Sequence, residues 1–120
     1  MKSLISTVAI LGSLAVAPQV LAHAMLHHAI PAVGSTVRAA PSKVELWFSE
    51  NLEPAFSTIK VIDSTGKQVD KRDKAIDDRD KAHLVVSLPP LPPGTYRVVW
   101  RALSADTHVT EGDFIFRLEP

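Results

Sequence analysis

Cysteine is absent from the 120-residue chain, so neither a disulfide nor a thiolate metal site can contribute to it. An excess of one charge is missing too: 13 Lys and Arg stand against 13 Asp and Glu. That balance argues against a non-specific phosphate-binding surface, and nucleic acid is not an expected partner. Methionine occurs only at Met1 and Met25, too few for a thioether cluster that would select a soft ion. Aromatic residues are scarce, with four Phe, two Trp and one Tyr. No sustained helical face follows the first apolar run.

That run opens the chain. Residues 1–22, "MKSLISTVAILGSLAVAPQVLA", have a short basic start at Lys2, an apolar stretch from Leu4 to Ala17, and a small-residue ending at Val20-Leu21-Ala22. The pattern is that of a secretory signal peptide. The stretch is shorter than the roughly 20 residues a spanning helix needs. Cleavage between Ala22 and His23 is therefore expected, leaving one domain at residues 23–120 with 12 basic against 13 acidic residues. Ninety-eight residues suffice for one core.

The remainder alternates with a period of two, as half-buried strands do. In "KVELWFS", Val44, Leu46 and Phe48 share a face; in "AHLVVSL", Leu84, Val86 and Leu88 do; in "TYRVVWRAL", Tyr96, Val98 and Trp100; in "GDFIFRL", Phe114, Phe116 and Leu118. "STIKVIDSTGKQV" predicts a strand through Ile59 and Val61, a turn at Ser64-Thr65-Gly66, and a further strand near Gln68 and Val69. "DKRDKAIDDRDK", residues 70–81, carries ten charged residues of both signs among twelve and is expected as a solvated loop or edge ribbon. "PPLPPG" ends one strand and turns into the next. "HAMLHHAIPAVGSTV" gives one irregular edge strand, broken at Pro31 and Gly34. About seven short strands in this length predict an all-β, immunoglobulin-like Greek-key sandwich.

Cleavage before His23 would create a donor set that an internal histidine cannot offer. The new terminal amine and Nδ1 of the same imidazole can close a six-membered chelate on one metal ion. Such nitrogen-rich, tetragonal ligation most favours Cu(II) among common divalent ions. In "SADTHVTEGDF", Asp106 and His108 stand two apart, so that in an extended segment their side chains leave on one face. They would add an oxygen and a third nitrogen. Read separately, Asp106 is a loop cap and His108 a surface residue; a shared site requires the fold to bring the new terminus beside them. Glu50, in "WFSENLEP", is either a solvated turn carboxylate or a partner that orders the terminus. His27 and His28, adjacent on a strand, should point to opposite faces, and His83 belongs to a separate strand as a structural or exposed residue.

Taken together, "HAMLHHAIPAVGSTV", "APSKVELWFSENLEPAFSTIKV" and "LPPGTYRVVWRALSADTHVTEGDFIFRL" resemble the CopC family of periplasmic copper-binding and copper-resistance proteins through almost all of residues 23–118. The resemblance implies a β-sandwich with one Cu(II) ion per mature chain, ligated by His23, Asp106 and His108, with Glu50 beside the terminal amine. Some relatives hold Cu(I) in a methionine-rich segment; here the charged residues 70–81 stand in that region, so a Cu(II)-only member is expected. It also implies copper sequestration or delivery in the periplasm; the chain is expected to be a non-enzymatic monomer that passes copper to a copper-transport membrane protein or another periplasmic copper carrier. Two other functions fit some of the same features. One is a copper-dependent oxidase or polysaccharide monooxygenase with a terminal-histidine site; the other is a metal-free structural or interaction sandwich.

Overall fold

A computed structural model describes residues 24–120; the expected leader, its cleavage point and His23 lie outside them. The strands are β1 (Leu26–Ile30), β2 (Thr36–Val37), β3 (Lys43–Phe48), β4 (Thr58–Ile62), β5 (Ala75–Ile76), β6 (His83–Ser87), β7 (Gly94–Leu103) and β8 (Val109–Leu118), with a 3-10 turn at Pro54–Phe56. One four-stranded sheet runs β1-β3-β6-β5 and the other β2-β8-β7-β4. The chain crosses between sheets at β1–β2, β2–β3, β3–β4, β4–β5 and β6–β7, which interleaves the two layers. The expected all-β sandwich is what the residues form.

Alternation decides which residues go inside. Val44, Leu46 and Phe48 of β3 and Leu84 and Val86 of β6 meet Val61 of β4, Tyr96, Val98 and Trp100 of β7, and Phe114, Phe116 and Leu118 of β8 in one core. Removal of these faces from water is the dominant favourable contribution to folding. At the far end of β7 the Tyr96 hydroxyl donates to the Pro92 carbonyl, so the one buried phenol has its hydrogen bond.

The described residues form eight strands where about seven were expected: the segment after position 23 splits in two and Ala75–Ile76 adds a short one, while the strand near Gln68 is lost. β1 pairs antiparallel with β3, whereas β2 lies parallel to β8 in the opposite sheet. Pro31, with no N–H, ends β1, and Gly34 at φ 72° turns the chain across while its N–H donates to the Ile115 carbonyl at 2.8 Å. The strand expected near Gln68 is reduced to an isolated bridge, Ile62 with Gln68. Asp70 is the reason: its buried carboxylate accepts the Val61 N–H at 2.8 Å, the Arg72 N–H at 3.0 Å and the Gln68 amide at 3.1 Å. A side chain thus takes up backbone donors that a ladder would have used.

Within residues 70–81 only Ala75–Ile76 forms a strand, at the edge beside β6. His83 fastens the following loop. Its ring stacks on Trp47 with centroids 4.2 Å apart and planes 10° apart; Nε2 lies 3.1 Å from Glu45 Oε1 and Nδ1 3.4 Å from Asp77 Oδ2. Its role is structural, one of the two expected for it.

Candidate metal centre

Three separate parts of the chain are laced together at one end of the sandwich. The first begins at Ala24, which is fully buried. Its carbonyl accepts the Thr110 hydroxyl at 2.7 Å. Met25 then exchanges two bonds with Ser49: its N–H donates to Ser49 Oγ, and its carbonyl accepts the Ser49 N–H, both at 2.8 Å. The second part, residues 49–53, receives the third. Leu52 bridges Ser104, the Ala105 N–H donates to the Asn51 carbonyl at 3.0 Å, and the Glu53 N–H to the Leu103 carbonyl at 2.8 Å.

The third part, the β7–β8 connection, carries Asp106 and His108. They do not lie in an extended segment as the two-residue spacing suggested. Residues 104–108 form a turn in which Thr107 takes φ 73°, and the turn itself brings the two side chains together. His108 Nδ1 is 3.1 Å from Asp106 Oδ2. Asp106 Oδ1 accepts the His108 N–H at 3.2 Å and the Ser104 hydroxyl. The Ser104 N–H closes the turn on the His108 carbonyl at 3.0 Å.

The Ser104 hydroxyl foremost, and His108 after it, hold the Asp106 carboxyl below the usual carboxylate range. It is therefore an anion at neutral pH, as an oxygen ligand must be. Two donors at right angles on an ion with bonds of about 2.1 Å stand about 3 Å apart, so the Nδ1–Oδ2 separation suits one small cation. Among the described residues, no three His, Asp or Glu side chains are grouped closely enough to hold a metal. Any centre here needs donors from beyond them.

Of the residues expected at the site, Asp106 and His108 meet directly. His23 is outside the described residues, and the fixed Ala24 follows it immediately. Glu50 is half-buried between Ser49 and Asn51, both of which bind the converging segments. Its carboxylate makes no hydrogen bond or ion pair among the described residues. Ser49, Ser104 and Thr110 organise this end and were not singled out by sequence reasoning. Their only signal was position, since Ser104 and Thr110 flank the Asp-Thr-His run by two residues.

His27 and His28 depart from the opposite-face expectation. Leu26 pairs with Phe48 and His28 with the very next residue of β3, Trp47. His27 is the extra residue of a bulge, and both imidazoles are exposed.

Residues 26–119 match the CopC domain. The chain belongs to the CopC family. Protein YobA of Escherichia coli strain K12 is 37% identical over 119 residues, covering 98% of this chain and 96% of its own. The crystal structure of CopC from Methylosinus trichosporium OB3b superposes with a TM-score of 0.77 at 37% identity, covering 82% of this chain and 95% of that one. PcoC, a methionine-rich copper resistance protein from E. coli, superposes with a TM-score of 0.73 at 37% identity, covering 82% and 100%. By contrast, this CopC-family chain has no methionine after Met25.

Proposed function

We propose that this chain is a periplasmic Cu(II)-binding protein that limits free copper and passes the ion to a copper-transport membrane protein or another periplasmic carrier. One observation carries the reading. The Asp106–His108 pair is built into the same hydrogen-bonded end as buried Ala24, the residue that follows the expected new terminus.

Cleavage after Ala22 frees an amine with an ordinary pKa near 8, next to an imidazole near 6.5. His23 supplies that amine and its Nδ1. His108 supplies a third nitrogen and Asp106 an oxygen, a set suited to tetragonal Cu(II). Glu50, beside Ser49, accepts a hydrogen bond from the amine and so orients it. Because every nitrogen must be deprotonated to bind, falling pH releases the ion. Reduction, or a partner with better ligands, does so at neutral pH. The reading is of carriage rather than catalysis, and the copper is cargo.

The test compares Cu(II) affinity and electron paramagnetic resonance spectra of four proteins: one starting at His23, the same protein with one added N-terminal Met, and its Asp106→Ala and His108→Ala variants. The added residue and both substitutions should weaken binding and change the spectrum. Four indistinguishable proteins would sink the proposal.

A further inference from the structure

The bulge in β1 has placed two imidazoles where regular pairing would put one. In an unbroken strand His27 and His28 would alternate, and one ring would enter the core between the sheets. Here the core-facing positions of β1 are Leu26, packed against the core, and Ala29, which is buried. Both histidines fall between them and both are exposed. They line one shallow groove with Leu26, Ala29, Ala32 and Val33. β1 is the outer strand of its sheet, so nothing in the sheet covers its free edge.

We propose that His27 and His28 together form a second metal site, an exposed bis-imidazole pair that takes a monovalent Cu(I)-class ion in two-coordination. Donor number argues for that ion. Zn(II) wants four ligands and Cu(II) a tetragonal set, whereas a closed-shell monovalent ion of this class is satisfied by two nitrogens in line. Among the described residues no third His, Asp or Glu completes a larger site. The pair is also half-organised in advance. The His28 ring rests on the Trp47 indole with centroids 4.9 Å apart, and Trp47 is itself stacked on His83. One imidazole is thereby restrained and only His27 remains to be ordered, which lowers the entropic cost of binding. The indole face beside the pair favours a cation. The absence of methionines in residues 70–81 led to the expectation of a Cu(II)-only protein; this site supplies a nitrogen-based place for the reduced ion instead. It shares no residue with Asp106 and His108 and does not depend on the Cu(II) proposal.

The test uses Ag(I), a redox-inert ion of the same class, titrated into the protein starting at His23 and followed by nitrogen NMR of the imidazoles. His27 and His28 signals should move together with one ion bound. His27→Gln and His28→Gln should each lower this affinity by about tenfold or more, while His108→Ala leaves it unchanged. Tryptophan fluorescence should fall on binding, and Trp47→Phe should remove that quenching without removing the NMR response. Retention of wild-type Ag(I) binding by either single variant would show two independent surface imidazoles and overturn the proposal. So would shifts confined to His83 or His108. Failure of the Cu(II) centre would appear in the paramagnetic resonance comparison and leave these Ag(I) outcomes untouched.

Discussion

The Thr110 hydroxyl donates to the carbonyl of Ala24 at 2.7 Å, across 86 positions of sequence. This bond ties the residue after the expected new terminus to the strand that begins immediately after His108. Thr110→Val keeps the shape and removes the donor, leaving a buried carbonyl unpaired. We expect a loss of about 1–3 kcal/mol of stability in denaturant unfolding. Cu(II) affinity should drop about tenfold, as for loss of a ligand-orienting contact. Unchanged affinity in a folded variant would mean that this tie does not position His23.

Gly112 faces Trp100 across β7 and β8. A Cβ built on Gly112 would stand 2.5 Å from Cζ2 and 2.8 Å from Cε2 of that indole. The ring is rigid and packs edge-on against Phe48, centroids 5.1 Å apart, so it has little room to yield. Gly112→Ala should cost about 1–3 kcal/mol, with a shifted tryptophan emission maximum. A variant as stable as the parent, with unaltered emission, would contradict this packing.

Thr107, between the two proposed ligands, holds φ 73°, a region that penalises a β-branched residue. Asn tolerates it. Thr107→Asn should therefore raise stability by about 0.5–1 kcal/mol in thermal unfolding and leave Cu(II) binding intact. A lower melting temperature would show that the Thr107 hydroxyl, which donates to the Asp106 carbonyl, matters more than the backbone.

How much of this was visible beforehand can be judged from particular residues. Val44, Leu46 and Phe48, or Phe114, Phe116 and Leu118, announced their strands because alternation is a local property. The Asp106–His108 pair was legible as a candidate, but the turn that joins them depends on Ser104 and on a left-handed Thr107, neither of which has a periodic signature. The bulge at His27 was invisible for a related reason. It is set by the register of β1 against β3, a relation between distant segments. Asp70 likewise reads as one charge in a charged run until Val61, Gln68 and Arg72 are seen around it.

Acid and alkali should act on different groups. The Thr65 hydroxyl, and then the Lys67 N–H, hold the Asp63 carboxyl below its usual range; the Ser87 N–H does the same for Asp73 and the Arg79 N–H for Asp77. The unfolded chain binds these protons first, so their stabilisation is present above the ordinary carboxylate value of 3.8 and is lost as pH falls through the lower folded values. Tyr96 is opposite in sign. Burial, and then the Asp63 charge, raise its folded value above 10.0. The unfolded phenol ionises first, and stability falls as pH climbs beyond that point. Denaturant midpoints across this range should decline at both ends, with a shallower acid limb in Asp63→Asn. An acid limb unchanged by that substitution would remove Asp63 from the account.

Asp70 has one more consequence. By occupying the Val61 N–H, while the Val69 N–H takes the Val61 carbonyl at 2.8 Å, residues 69–70 leave the middle of the β4 border nothing with which to recruit another copy. Another strand can add at that point only if Asp70 first releases the Val61 N–H.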